Sequence, residues 1–563
     1  MTPFTPPSPG AWELEQTHVV RASSVLMAEL FPRNIMRGFS EGTREYGVLL
    51  DHLEVAVINR FIYVAPRPVG APKSAKGPPP RLVFKLLCAL HPEVRRRIAR
   101  AGEVFRDRTW RRELVWWDDE VKPTLASEAR GLLAEDLERC SDAGLADHVR
   151  RAADFAGRTI YWHHRFNFGV MVPIGDFLVH VMEWTGLPAE AVLQTMRGLS
   201  PVSAGAVEEL SALRAAIQTD PDAMSLLQSQ RPPGEILAGL ERRPAPVSDA
   251  LRAYLDVVGF RVIGGYDVSD RHVREHPELL VKIIRTAAGG DDETRRRAAA
   301  DEAIRRLREK VAAEHRAEFD TLLEESRLVY RLRDERVFHG DAVGVGILRR
   351  AVLAAGARLS ARGRVREADQ LVDTSLSEII AMLEGRGGPS SDEIAERTRY
   401  RLETPISAAP ARLGFPPSAP PPAEWLPSSA ARMQRIVDLV LKLMFETRAP
   451  KGGEPAATVM KGFGVSPGVY EGPARVILDV AELPSVQQGE VLVAPSTGPT
   501  FNVVLPLIGA IVTERGGALS HAAIVAREYG LPGVVGCPGA TRNIRTGMRV
   551  RVNGESGEVC PLG

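Results

Sequence analysis

Thr513-Glu-Arg-Gly516-Gly517-Ala-Leu-Ser520-His521-Ala-Ala-Ile-Val-Ala-Arg527-Glu528-Tyr-Gly530-Leu-Pro532-Gly-Val-Val-Gly536 reads as strand, glycine turn, short helix, stop and strand. Ser520 is placed to cap a helix N-terminus, Gly530 to close its end in the left-handed conformation, and Pro532 to keep it from resuming. The helix is therefore expected over 521–529, with His521 in its first turn. Unpaired N–H groups and the positive end of the helix dipole favour an anion there and disfavour a protonated imidazole. A neutral imidazole is a nucleophile. A phosphoryl group accepted by it would be stabilised by the same terminus, and Gly516 and Gly517 permit a turn that adds further N–H groups.

Around this string, glycine is dense, charges are sparse and short Val/Ile runs recur at 474–478, 491–494, 510–513, 534–536 and 549–552. The pattern predicts a C-terminal α/β module over 458–563. The preceding chain differs. Stretches at 81–101, 132–156, 206–217, 248–258 and 292–336 space apolar residues three and four apart, which predicts a mostly α-helical part over 1–402. A small strand pair is expected at 53–58 and 61–64. Eight prolines between Pro405 and Pro427 make 403–429 a connector, and 430–457 reads as a helix and hinge broken by the Pro450 to Pro455 segment. The fold class is thus multi-domain, and the 563 residues suit roughly three or four domains.

Lys plus Arg is 72 and Asp plus Glu is 71, so no global field draws the chain to nucleic acid or an anionic membrane. Cys88, Cys140, Cys537 and Cys560 lie far apart without CxxC spacing, which points away from zinc and disulfides and towards a reducing cytoplasm. The N-terminus does not read as a signal peptide, and the longest apolar run, 501–512, is too short to cross a bilayer.

The string from Gly516 to Gly536 resembles the signature of the phosphohistidine swivelling domain in phosphoenolpyruvate-utilising enzymes, a family that includes phosphoenolpyruvate synthase, rifampin phosphotransferase and phenylphosphate synthase. Gly462-Phe-Gly-Val-Ser466-Pro467-Gly468 resembles that domain's opening, and Thr497-Gly-Pro499-Thr-Phe501 its strand-to-helix turn. The resemblance implies that His521 is phosphorylated in the catalytic cycle, with Gly516, Gly517, Ser520 and Arg527 around the phosphate. Leu519 stands where the dikinases usually have Thr, as in the antibiotic phosphotransferase branch.

In the helical part, Tyr254 to Arg261, Asp267, His272 to Leu280 and Arg331 to Arg336 resemble the substrate-binding domain of the rifampin phosphotransferase type. His163, His164, Arg261, Arg333, Asp334 and His339 are the candidate substrate-binding residues, with Arg165, Asp267 and Glu335 as further polar candidates. Tyr161, Trp162, Phe166 and Phe168 surround the histidine pair and suit an aromatic acceptor. Adjacent histidines face different sides of a helix, so no shared metal is expected.

The chain shows neither a G-x-x-x-x-G-K-[ST] loop nor the glycine-rich strands of an ATP-grasp fold, and it stops just after the swivelling module, where a phosphoenolpyruvate-binding barrel would follow. The resemblance therefore implies a phosphotransferase component that binds no cofactor itself. An ATP-grasp partner would hold ATP and Mg²⁺ and load His521, and a small organic acceptor would take the phosphoryl group. Two alternatives remain open at this point: a non-enzymatic phosphocarrier, and carboxylate activation before a condensation.

Overall fold

Strands β1 (Ala11–Leu14), β2 (Leu50–Ile58), β3 (Phe61–Pro68) and β4 (Arg412–Gly414) form a sheet in the order β2-β3-β1-β4, seen in a computed structural model that describes residues 3–15, 21–199, 206–263, 266–286, 292–445 and 459–562. Asn59 and Arg60 both take positive φ, which gives the two-residue turn whose twist suits a hairpin. The Arg60 side chain holds that turn by donating to the Ser23 and Arg397 carbonyls, each at 2.7 Å. The hairpin is longer than the sequence pattern indicates, and β1 and β4 are additions to it. Strand β4 comes from the proline-rich stretch read as a connector. Its three residues lie between prolines, keep their own N–H groups, and pair with β1 at Trp12↔Leu413.

This sheet belongs to the first of two compact units, Met1–Val172, Gly265–Arg271 and Glu335–Ile436. The helix Asp142–Arg165 packs there against Val25–Glu45 and Ala342–Ala361. Close approach requires glycine: a Cβ on Gly38 would lie 2.4 Å from the Tyr161 carbonyl oxygen, and one on Gly344 2.3 Å from Thr159 Oγ1. A π-helical turn at Trp117–Val121 and a kink at Gly340, within Val337–Asp341, interrupt the helices of this unit.

The second unit comprises Pro173–Gly264, His272–Asp334 and Val437–Gly563. The helical part expected as one block over 1–402 is therefore shared between the units. Helices between Val207 and Thr286 place Leu213, Leu251, Leu255, Leu280 and Ile284 in one hydrophobic cluster with Leu492, Ile511 and Ala523 of the C-terminal module. The hinge 446–457 lies outside the described residues.

The C-terminal module is α/β. Strands β5 (Met460–Lys461), β6 (Phe463–Ser466), β7 (Val469–Val476), β8 (Glu490–Ala494), β9 (Ile508–Thr513), β10 (Gly533–Val535), β11 (Arg549–Asn553) and β12 (Glu558–Pro561) form a sheet in the order β5-β12-β11-β7-β8-β9-β10-β6. Strands β7, β8, β9 and β10 are parallel to their neighbours in that run. Both faces of the central strands are covered, as their near-continuous apolar sequence requires. Val491, Val493, Ala510 and Val512 point to one cluster, and Leu492, Ala494 and Ile511 to the other. The helix His521–Tyr529 links β9 to β10 and covers the Leu492 face through Ala522, Ala523, Val525 and Ala526.

Candidate functional site

The chain leaves β9 at Thr513 and reverses through Glu514 to Ser520 before the helix begins at His521. Thr513 Oγ1 donates to the Arg515 carbonyl at 2.9 Å, and the Glu514 carboxylate accepts from the Thr541 N–H at 2.9 Å and hydroxyl at 2.7 Å, so the start of the turn is held. Gly516 has φ +107, a region closed to most side chains. Gly517 meets a different need: a Cβ there would lie 2.3 Å from the Leu443 carbonyl oxygen. Its N–H donates to the Met444 carbonyl at 3.4 Å, and the Leu519 N–H to the Leu443 carbonyl at 3.0 Å. The sequence pattern places the Gly517 N–H among those facing the histidine. In the structure it is taken up by the end of the helix Ser428–Phe445, and the glycine serves close approach instead.

Ser520 occupies the N-cap position without making the expected side-chain cap bond. Its Cβ and Oγ fill the space that a Cβ on Gly516 would need, at 2.7 and 2.8 Å, and the buried Oγ has no hydrogen-bond partner. At the other end, Gly530 takes φ +66 and closes the helix after Tyr529, as its spacing indicates.

His521 keeps part of its surface exposed, yet its Nε2 is shut off from solvent and has no hydrogen-bond partner. Nδ1 lies 3.1 Å from Thr497 Oγ1, in the turn before the Pro499–Val503 helical segment. Burial pushes the imidazole pKa down from its ordinary 6.5 to about 3, and the Arg333 guanidinium adds to the fall. The imidazole is neutral across the physiological range. Its main cause is desolvation, where the sequence pointed to the helix dipole.

Arg333 donates from a guanidinium nitrogen to the Leu519 carbonyl oxygen at 2.7 Å, two residues before the histidine. Arg527 is fully buried on the same helix as His521, and none of its three guanidinium nitrogens makes a hydrogen bond of acceptable geometry. Its charge offsets part of the rise that burial imposes on the Tyr330 phenol pKa. Arg527 therefore faces Tyr330, and the cation felt by His521 is Arg333. No motif in the sequence marks Thr497 or Tyr330 individually as a site residue. The strand-to-helix turn at Thr497 was the available signal for the first; Tyr330 carried none.

Arg261, also in this unit, is buried beside Tyr254, Glu209 and Tyr529, and desolvation lowers its pKa to about 10. Its backbone N–H donates to the Val258 carbonyl at 3.1 Å, so it closes the helix Val247–Val258. Asp334 is the last residue of this unit's middle segment and is buried.

The remaining predicted residues lie in the first unit. His163 Nδ1 sits 2.9 Å from Asp341 Oδ2, and Arg336 donates to the His163 carbonyl and to Asn167 Oδ1. Tyr266 meets the His163 ring edge-on, with centroids 6.3 Å apart. His164 lies 3.3 Å from the Asn167 amide, and His339 directly precedes the kink at Gly340. Glu335 accepts from Trp117 Nε1 at 2.9 Å and Lys122 Nζ at 3.0 Å. Arg165 is held by Glu113, which also accepts from the Tyr46 hydroxyl at 2.7 Å, and Asp267 accepts the Ser24 N–H at 2.8 Å. These last two anchor the packing of their own unit. Among the described residues, no group of three or more His, Cys, Asp or Glu side chains is arranged to hold a metal ion, and no helix is long and apolar enough to cross a membrane.

Residues 486–557 match the family described as PEP-utilising enzyme, mobile domain, and residues 169–334 match the rifampicin phosphotransferase fourth domain. The chain is 30% identical over 393 residues to a rifampicin phosphotransferase of a Streptomyces species, covering 67% of this chain and 42% of that protein. It is 27% identical over 322 residues to the rifampicin phosphotransferase of Streptomyces sviceus, covering 55% and 34%. Over 106 residues it is 45% identical to phosphoenolpyruvate synthase of Pyrococcus furiosus, covering 19% and 13%. The chain spans less than half the length of these relatives. The histidine turn on its parallel sheet falls inside the first match and Arg333 inside the second, and on these grounds the chain carries the mobile domain of the PEP-utilising enzyme family.

Proposed function

We propose that this protein is a phosphotransferase component. It carries a phosphoryl group on His521 from an ATP-grasp partner to a small organic acceptor bound by the helical part. The observation that carries the reading is His521 itself: a neutral imidazole at a helix N-terminus, with Nδ1 at 3.1 Å from a hydroxyl and Nε2 bonded to nothing. In the tautomer whose Nδ1–H donates to Thr497 Oγ1, Nε2 carries the lone pair. That lone pair attacks the donor phosphorus, an N–P bond forms and the donor's P–O bond breaks. In the second step an acceptor oxygen attacks the same phosphorus, the N–P bond breaks, and the acceptor hydroxyl loses its proton to a base.

The chain's own groups bind, orient and exclude water. Thr497 fixes the ring, burial keeps it unprotonated, and the first turn of the helix favours the anion formed on it. ATP and Mg²⁺ belong to the partner in this proposal, and the Mg²⁺ would offset phosphate charge there. Arg261, Arg333 and Asp334 in the second unit, and His163, His164 and His339 in the first, remain the proposed acceptor-binding residues. Cytoplasmic location is part of the same proposal.

The test is incubation with radiolabelled ATP, with and without a candidate ATP-grasp partner, followed by a search for acid-labile label on His521. Label that forms only with the partner, disappears in His521→Ala and chases onto a small molecule supports the proposal. Label that forms and never chases leaves a carrier in place of an enzyme, and no label with any donor defeats the reading.

A further inference from the structure

We propose that the helix Arg81–Leu90 is a docking site for an anionic lipid surface, which it meets through a stripe of exposed leucines edged with cations. This role belongs to the first unit alone and is separate from phosphoryl transfer at His521.

The helix follows Pro78-Pro79-Pro80 and stops before Pro92. One side faces its own unit: Phe84 is buried and meets the Trp425 ring, with centroids 6.0 Å apart, and Leu87 and Cys88 are half-buried. At helical spacing Leu82, Val83, Leu86 and Leu90 fall within an arc of about 100° on the side turned away from Phe84. They are 82%, 47%, 57% and 66% exposed. Twelve large apolar side chains are exposed among the described residues, and no other helix or strand carries more than one of them. Exposed leucines scattered singly are ordinary on a protein surface, whereas four in one stripe mark a place where something binds.

Charge identifies what binds. The whole chain has a formal net charge of +1, yet residues 70–100 hold eight Lys and Arg against one acid, Glu93. Some of these cations are used internally: Arg97 is buried, Lys73 pairs with Glu54, Arg96 with Glu93, and Arg100 with Glu45 and Glu103. Arg81, Lys85 and Arg95 are exposed and make no ion pair among the described residues, and Lys76 lies over the Phe415 ring at 5.0 Å. Arg81 and Lys85, four positions apart, run along one edge of the leucine stripe. A local positive field therefore sits beside the apolar face of a chain that has almost no field overall.

Leucines beside long cationic side chains suit the boundary of an anionic bilayer, where the leucines enter the acyl region and the cations stay among the phosphates. A second copy of this chain fits poorly, because a two-fold contact on this face sets Arg81 and Lys85 against their own kind. A protein partner of ordinary interface size needs about 20–30 residues a side with fitted relief, and one narrow stripe of four side chains supplies neither. A lipid surface requires no matching relief, and attraction to its headgroups adds to the burial of the stripe.

Sedimentation of the full chain with lipid vesicles tests this. Binding to phosphatidylcholine vesicles containing about one-third phosphatidylserine is expected to exceed binding to phosphatidylcholine alone by about tenfold, and to fall as salt rises from about 0.05 to about 0.5 M. Leu82→Ser combined with Leu86→Ser is expected to abolish binding with the helical circular dichroism unchanged. Arg81→Gln combined with Lys85→Gln is expected to remove most of the preference for phosphatidylserine. If the double serine variant does not fold, Leu82→Ser alone, at the most exposed of the four positions, is expected to weaken binding about threefold.

No binding to either vesicle, equal binding to both, or full binding in the serine variants overturns the proposal. A lipid-free dimer seen by light scattering and dispersed by the serine substitutions would give the face to a second copy, and binding of a Glu-rich amphipathic peptide helix without binding of vesicles would give it to a protein; either result overturns it as well. Phosphate on His521 enters none of these readouts, so failure here leaves the phosphotransferase reading standing.

Discussion

The histidine turn of the second unit and the polar cluster around His163 in the first are built in opposite ways. In the turn, backbone shape does the work: Gly516 at φ +107, Gly517 against the Leu443 carbonyl, and a nucleophile whose Nε2 and neighbouring Ser520 Oγ are left without partners. In the cluster, side chains satisfy side chains. Glu113 holds Arg165 and Tyr46, Asp341 faces His163, and Glu335 takes Trp117 and Lys122. Buried polar groups with partners stabilise and specify packing, whereas orphaned ones stand where a ligand or a covalent group is to come. The first arrangement leaves its reactive atoms without partners, and the second ties its polar side chains to one another.

The comparison breaks most sharply at the architectural end. Arg165→Met leaves the Glu113 carboxylate buried without its cation, and unfolding by denaturant is expected to show a loss of about 3–5 kcal/mol. Chemical phosphorylation of His521 in the same variant should be unchanged under conditions where it remains folded. A change in labelling larger than the change in folded fraction would join the two regions that the comparison separates.

Gly517→Ala sharpens the other side. The new Cβ would meet a backbone carbonyl at 2.3 Å, so the turn or the end of the helix Ser428–Phe445 must shift. A stability loss of about 1–3 kcal/mol is expected by denaturant titration, together with slower loading of His521. Had the N–H of Gly517 faced the phosphate, as its sequence suggested, loading would fall with little loss of stability.

A third test uses pH. The folded pKa of His521 is about 3 against an ordinary 6.5, so the unfolded chain takes up a proton between these values and the folded chain does not. Stability from this group is therefore complete above about pH 6.5 and declines as pH falls towards 3. His521→Asn lacks the titration. Between pH 7 and pH 4.5 the wild-type chain should lose more stability than the variant by thermal or denaturant unfolding, and equal losses would show that Nε2 is open to protons.

The smallest expected effect concerns Thr497. Thr497→Val removes the hydroxyl partner of Nδ1 and keeps the shape, so loading of His521 should slow by about five- to tenfold with stability changed by less than about 1 kcal/mol. Rapid-quench measurement of labelling and a denaturant titration read the two quantities separately.

The same contrast explains what the sequence disclosed. Helix 521–529, its left-handed stop at Gly530 and the parallel strands on either side are local, each fixed by residues within a few positions, and so they could be read directly. The Arg333 contact with Leu519 spans 186 positions and has no periodicity to announce it. Gly517 was recognised as a turn residue, but the identity of its neighbour, Leu443, depends on where another helix ends. Strand β4 was hidden because prolines around it mask a three-residue edge pairing, and its partner β1 lies at the far end of the chain. The split of the helical part into two units could not be read either, because clusters such as Leu251 with Ile511 and Ala523 join segments far apart in sequence.

Loading the full chain with its phosphoryl donor, then assigning the modified atom by mass spectrometry and phosphorus NMR at alkaline pH, tests the central claim most directly. The account predicts an acid-labile N–P bond at Nε2 of His521 that is lost on transfer to the acceptor. Phosphate on any other side chain, or on Nδ1 in place of Nε2, would contradict it.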